Sequence, residues 1–432
     1  MKRFSIESDL KTFFKAGFLL TFASILVGIL GYLFQILVGR MLEPTDFAVF
    51  STLLALYILL GSPFSAINML ITRHVSILRA NKRSKEGGRY YWRLQKWGLL
   101  VGLIFFAIFY LFSGFFIEYL KAQSLTQLLI FSTLLIFSSL LVINNSFLQG
   151  FHLFGWQAAS NVFSASVKLF LSVGFIAIGF NVNGAILGVS LSAAFAWLIG
   201  VWVLWRSFSK FKDDSIGAVD HNFNNLAGLF QVLSISISFA LMTQLDMVLV
   251  NWFFSPSDAG LYAAASVLGK AVLYIPSGLI VALFPMTIEA HINKLQGTPL
   301  LKAALFSTFL ICGALAFIYS IWGNEIIHLI YGDAYIGAGS ILRWYGFAIL
   351  PMTLVIVYEH YLIAKGKMIF SWIFLVFGPL QMAAIYFWHD KLIYVIAAVG
   401  GSGMLLFLCG SFMSYKYLKS NSTMSLPQKT NV

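Results

Sequence analysis

Charge is what this 432-residue chain has least of: Asp, Glu, Lys and Arg make up 10% of it, against 59% hydrophobic residues. A soluble globule needs more polar surface than that, and the mean hydropathy of +0.86 agrees, so the chain reads as an integral membrane protein. Cysteine is also scarce. Cys312 and Cys409 lie in apolar segments without metal-ligand spacing and read as packing residues rather than a disulfide or a reactive thiol. No P-loop, HExxH, G-x-S-x-G or Cys/His cluster occurs, so no metal, cofactor or enzyme activity is expected. Asp213-Asp214 could hold a metal in a glycosyltransferase, but beside Arg206, Lys210 and Lys212 it reads as a solvated charge cluster. The net charge of +12 would point to nucleic acid in a soluble chain. In a membrane chain the basic residues must first be placed by side, and no nucleic-acid partner is expected.

What is there in quantity is long apolar runs, and they come in two sets. From Leu37 the chain reads LVGRMLEPTDFAVFSTLLAL, and from Leu249 it reads LVNWFFSPSDAGLYAAASVL. Leu37, Val38, Pro44, Asp46 and Leu56 recur as Leu249, Val250, Pro256, Asp258 and Leu268, each displaced by 212, with Thr45/Ser257 and Phe50/Tyr262 in support. The register drifts to 213 at Pro63/Pro276 and to 214 at Phe147-Leu148/Tyr361-Leu362. Pro-x-Asp at the same point between two apolar spans marks an internal repeat of six spans.

At about 20 apolar residues per span, twelve are expected. The first lobe, 16–205, holds 16–38, 47–71, 97–119, 128–150, 158–180 and 184–205. The second, 229–415, holds 229–252, 259–284, 303–322, 341–363, 368–388 and 391–415. The first run is too long for a signal-peptide core and is expected to stay as a span. Residues 1–15 read as an amphipathic cytoplasmic segment, 206–228 as an inter-lobe loop and 416–432 as a tail. With the N-terminus inside, 22 of the 28 basic residues fall on that side, eight of them in a polar loop at 72–96, and only Arg40, Lys121, Arg343 and Lys391 fall opposite. The acidic residues divide evenly, so the positive-inside rule puts both termini in the cytoplasm, with the basic loop near anionic lipid headgroups.

Charge within a span costs about 2.5 to 3.5 kcal/mol at the bilayer centre unless it faces protein or a wet cavity. Lys168 is about ten residues into the fifth span, and Gln157, Asn161, Ser164, Lys168 and Ser172 share its helix face. Lys270 is equally deep in the eighth, with Ser266, Tyr274 and Ser277, and the second span adds Ser65, Asn68 and Thr72. Hydrogen-bonded glue between helices suits the Ser and Thr residues; two mid-membrane lysines point instead to a hydrated cavity. Asp246, two turns from the outer end of the seventh span, is either a cation site or the partner of a lysine. Glu359, one turn from the inner end of the tenth and beside His360, can reach water and otherwise reads as structural. The Gly98/Gly102 and Gly184/Gly188 pairs have the spacing of close helix packing.

Four stretches carry a family likeness: R-x-L-x-P-x-D-F-A-x-F at Arg40 to Phe50, its echo at Pro256 to Tyr262, Leu329-Ile-Tyr-Gly-Asp-Ala-Tyr335, and Tyr361-Leu-Ile-Ala-Lys-Gly366. By them the chain resembles the Wzx-type O-antigen and capsule flippases, in the superfamily that includes multidrug and toxin extrusion proteins and the lipid II flippase. Where the family's elbow usually has Gly after the aromatic, this chain has Ala48, although the second copy has Gly260. The resemblance implies an all-α polytopic membrane protein, with twelve transmembrane helices in two pseudo-symmetric six-helix lobes around a central cavity. It implies alternating access, and a lipid-linked oligosaccharide, on a polyprenyl diphosphate, turned over in the bacterial inner membrane. Lys168, Lys270, Asn161, Asn68 and Tyr274 are the expected substrate contacts, and Asp246 and Glu359 the expected sites for a coupling proton or sodium ion. Membrane lipids, a polysaccharide polymerase and chain-length proteins are the partners such a transporter would meet. The competing expectations are a multidrug exporter on the same fold, whose cavity should be acidic, and a membrane-embedded glycan polymerase or ligase, for which the outer loops are short.

Overall fold

Each proline-marked elbow is the start of a helix. In the computed structural model, which describes residues 6–81, 83–208, 226–275, 287, 298–364 and 369–422, α1 (Ile6–Met41) ends just before Pro44, and Pro44 opens α2 (Pro44–Gly61). Proline suits that position because the N–H it lacks would have no helical partner there. Asp46 places a carboxylate in the first turn, against the positive end of the helix dipole, and accepts a hydrogen bond from the Gln123 side-chain amide. In the second copy α9 (Leu226–Phe253) leads to α10 (Pro256–Gly269). There Ser255 Oγ caps the helix by accepting from the Asp258 N–H at 3.1 Å while donating to Asp258 Oδ2 at 2.7 Å. The repeated Pro-x-Asp is therefore helix-initiation chemistry in both halves.

Between these points the first half continues through α3 (Pro63–Ala80), α4 (Ser84–Leu111), α5 (Ser113–Leu120), α6 (Leu125–Gly150), α7 (Phe154–Phe175) and α8 (Asn181–Phe208). The α7–α8 turn, Ile176–Phe180, reverses the chain through Gly179 at φ 94° and Asn181 at φ 46°, a region glycine enters freely and asparagine tolerates. The second half continues with α11 (Ala271–Tyr274), α12 (Thr298–Tyr331), a 3-10 turn at Asp333–Tyr335, α13 (Ala338–Ala364), α14 (Ile369–Phe387) and α15 (Leu392–Ser422). The chain divides into two compact units, Met1–Ser236 and Ile237–Val432.

Among the described residues every regular element is helical, and nine stretches are long and apolar enough to cross a membrane. One of them, Phe154–Phe208, contains both α7 and α8. With the shorter Trp372–Phe387 and with α10, which enters the eighth span, the spans of a twelve-helix all-α membrane fold are accounted for.

Two local expectations are corrected. The second span, read as continuous over 47–71, is broken at Ser62, where α2 gives way to α3 at Pro63. The polar stretch 72–96, read as a loop, is helical on both sides of Asn81–Arg83. Its composition hides an amphipathic pattern: Ile71, Val75 and Leu78 are buried on α3, and Tyr91 and Gln95 on α4. Ile71, Val75 and Tyr91 pack in one apolar cluster with Ile143 and Phe147 of α6 and Val203 and Leu204 of α8. The segment before the first span is continuous with it from Ile6. The expected close packing of the glycine pairs is present: a Cβ on Gly102 would lie 2.7 Å from Ile136 Cα, and one on Gly188 2.5 Å from the Ser172 backbone nitrogen. The Asp213-Asp214 pair, most of the inter-lobe loop, Ser277, Lys294, Lys365, Lys367 and the tail beyond Ser422 lie outside the described residues.

Candidate functional site

In the N-terminal unit the polar face of the fifth span opens on a cavity of about 350 Å³. Asn161, Ser164 and Lys168 of α7 line it with Ser24 of α1, Tyr57 of α2 and Ser192 of α8. Lys168 is half-buried, and its Nζ lies 4.6 Å from the centroid of the buried Phe34 ring, within cation–π range. Among the described residues no carboxylate pairs with it. The rest of the predicted face divides by depth. Ser172 is fully buried and donates to the Ala185 carbonyl at 2.9 Å, which is interhelical glue, and Gln157 does not line the cavity. Asn68 is also placed away from it: on α3, its Oδ1 accepts from Ser146 Oγ of α6 at 2.6 Å and from Thr72 Oγ1 at 3.3 Å.

In the C-terminal unit the sequence-predicted Asp246 and Lys270 meet. Asp246, on α9, is fully buried, and Lys270 Nζ donates to its Oδ1 at 3.3 Å. Two residues that were not among the expected site residues complete the group. Tyr262 of α10 and Tyr345 of α13 both donate their hydroxyls to Asp246 Oδ2, at 2.9 and 2.7 Å, and their rings meet edge to face at 5.6 Å. The lysine is at a break in its helix: α10 ends at Gly269, Lys270 caps it, and α11 begins at Ala271. Gly269 is required for the close approach, since a Cβ there would lie 2.3 Å from Tyr345 Cδ1. The local charge is neutral, and three donors hold two carboxylate oxygens in a setting where an unpaired charge would be expensive. The signal that could have found the tyrosines was the repeat, which puts Tyr262 where the first copy has Phe50.

Tyr274, the last residue of α11, is exposed. Glu359, on α13, is buried, and among the described residues it has no hydrogen-bonding or ionic partner. No group of three or more His, Cys, Asp or Glu that could hold a metal occurs among the described residues. The arrangement therefore consists of a cation in one unit that no carboxylate pairs with among the described residues, and a buried carboxylate–lysine–phenol group in the other.

A protein family described as polysaccharide biosynthesis protein matches residues 13–291. No curated protein matches the chain in sequence. Among solved structures the chain is similar to a multidrug resistance MATE family transporter in an inward-facing conformation, at TM-score 0.75 and 13% identity over 93% of this chain and 96% of that one. It is similar also to the lipid II flippase MurJ in an inward closed conformation, at TM-score 0.71 and 16% identity over 92% and 87%. An outward-facing MATE family transporter matches at TM-score 0.63 and 15% identity over 95% and 97%.

Proposed function

Because the chain belongs to the polysaccharide biosynthesis protein family and has the fold of membrane transporters and flippases, we propose that it is a flippase for a lipid-linked oligosaccharide. Its substrate is one repeat unit on a polyprenyl diphosphate, turned over across the bacterial plasma membrane for O-antigen, capsule or exopolysaccharide synthesis. Both termini are cytoplasmic in this reading, transport is by alternating access, and a proton or a sodium ion drives it.

The observation that carries the reading is the sign of the free charge. Lys168 presents an ammonium to a cavity of mixed polar and apolar lining, with the Phe34 ring against it and, among the described residues, no carboxylate paired with it. A diphosphate entering a low-dielectric site needs positive charge already in place, and Lys168 supplies it, with Asn161 as a neutral donor beside it. Lys270 is held by Asp246 in the state described, so it reaches the substrate only when that pair opens. Tyr274 is a secondary contact in this scheme, and Asn68, engaged by Ser146 and Thr72 away from the cavity, would contribute only if those bonds open. Asp246 is the coupling residue, and Glu359, buried and unpaired among the described residues, is its reserve. The likeness to multidrug transporters favours a second reading, export of an organic cation. The pairing of Asp246 with Lys270 weighs against it, since it leaves no net negative charge in that site.

The test is flipping of a fluorescent polyprenyl-diphosphate oligosaccharide in proteoliposomes, with glycan export in cells alongside. Lys168→Arg retains transport, whereas Lys168→Ala and Lys270→Ala lose most of it at normal membrane abundance. Normal transport by both alanine variants, or transport of organic cations but not of the lipid-linked glycan by the wild type, overturns the assignment.

A further inference from the structure

Among the described residues, every polar group that touches the Asp246 carboxylate is a donor. Lys270 Nζ occupies Oδ1, and the hydroxyls of Tyr262 and Tyr345 occupy Oδ2. We propose that this group accepts a proton and excludes sodium, with Tyr262 and Tyr345 as the residues that set the selectivity. The proposal rests on the coupling role given to Asp246 above and decides which ion it takes.

The argument is one of coordination. A hard cation is held by a shell of oxygen lone pairs. Here the phenol hydrogens point at the carboxylate, and an ammonium already stands where a cation would bind. Either ion adds one positive charge, but a sodium ion would also need Lys270 to leave and both phenols to turn their lone pairs toward it. A proton needs none of this. It adds to one carboxylate oxygen, the carboxylate becomes a carboxylic acid, Lys270 keeps its own proton, and the group passes from neutral to singly positive.

The internal repeat supports the role of the hydroxyls independently. Displaced by 212, Asp246 and Tyr262 correspond to Phe34 and Phe50; by the 214 that applies further along, Tyr345 corresponds to Phe131. All three phenylalanines are buried, and Phe34 and Phe50, the counterparts of Asp246 and Tyr262, meet edge to face at 5.8 Å. The packing works without hydroxyls. They occur in the copy that has the carboxylate and are missing from the copy that lacks it.

The other groups near Asp246 do not compete for it. Among the described residues Gln244 Nε2 of α9 donates to Thr243 Oγ1 at 3.5 Å, Tyr319 of α12 donates to the Leu268 carbonyl at 3.1 Å, and no hydrogen bond joins Tyr274 of α11 to Asp246. Glu359 is fourteen residues beyond Tyr345, about 21 Å along α13 at about 1.5 Å per residue.

The experiment is infrared difference spectroscopy on the purified full-length protein in nanodiscs, in a Glu359→Gln background to silence the other buried carboxyl. Acidification should produce a carboxylic-acid carbonyl band that Asp246→Asn removes and that Tyr345→Phe moves to higher frequency, as an acid carbonyl does on losing a donor. Replacing choline by sodium at constant pH should leave the carboxylate bands unchanged. A sodium-induced change that Asp246→Asn abolishes, or no acid band assignable to Asp246, overturns the proposal. Should Asp246→Asn misfold, the Tyr345→Phe shift and the sodium comparison on the wild type still decide. No glycan or gradient is used, so failure here leaves the flippase reading standing, and failure of the flipping assay leaves this result interpretable.

Discussion

Replacing Lys270 by methionine keeps the aliphatic stem and removes the ammonium, which leaves Asp246 in a site where its side chain is 1% exposed. Breaking a buried pair by removing one partner costs about 3–5 kcal/mol. Two phenol hydrogen bonds remain on Oδ2, and bonds to a charged group contribute about 1.5–3 kcal/mol each, so the loss should sit near the lower end, about 3 kcal/mol. For a unit of this size about 1 kcal/mol shifts the melting temperature by about 2–4 °C, which makes the expected drop roughly 6–12 °C. The double variant Asp246→Asn with Lys270→Met removes both charges and keeps an acceptor for the tyrosines. It should return to within about 1 kcal/mol of the wild type, because a neutral replacement of a buried pair is often nearly free. The assay is a double-mutant cycle by thermal unfolding in detergent or nanodiscs at neutral pH. Acid pH should reduce the Lys270→Met loss, since a proton then neutralises the orphaned carboxylate. A Lys270→Met loss under about 1 kcal/mol, or single losses that simply add in the double variant, would refute the claim that the two charges are energetically one group.

Three further outcomes are expected. Asn144 is fully buried; it accepts from Tyr91 and Gln95 at 2.7 and 2.8 Å and donates to the Trp197 carbonyl at 2.7 Å. Asn144→Ala should therefore lower stability by about 2–4 kcal/mol through orphaned donors, read as reduced monodisperse yield and melting temperature. A reporter active only outside the cytoplasm should be silent when fused after Arg83, Lys212 or Lys419 and active after Gln123 or Asp333; activity after Lys212 would break the twelve-span topology. His152, exposed in the α6–α7 turn at φ 58°, is held below its ordinary imidazole value by partial desolvation and then by the charge of Arg79. The folded state resists its protonation, so this contribution to stability is present above the ordinary histidine range and is lost as pH falls through it. His152→Asn, which tolerates the left-handed backbone, should flatten the melting temperature between pH 7.5 and 5.5, and an unchanged slope would place the titration elsewhere.

Much of this was legible in the chain itself. Apolar runs of bilayer length can only become helices in hydrocarbon, where no water is present to satisfy the backbone, so twelve spans follow from hydropathy once the repeat doubles six of them. The Pro-x-Asp elbows, the glycine-pair contacts and the charges of Lys168, Lys270 and Asp246 within apolar spans were readable for the same reason: each is a local rule or a cost that the membrane enforces. What sequence reasoning could not decide was which charge meets which. Asp246 and Lys270 are 24 residues apart on different spans, and Tyr345 is 99 residues from Asp246. Only the packing of α9, α10 and α13, with Gly269 giving the Tyr345 ring its room, turns a carboxylate, a lysine and two phenols into one neutral group. The same packing left Lys168 against Phe34 without a counter-charge among the described residues and drew Asn68 into a bond with α6. Helix formation is dictated along the chain by periodicity and solvent, whereas the pairing of buried charges depends on angstrom-scale contacts between distant helices, which no spacing in the sequence records.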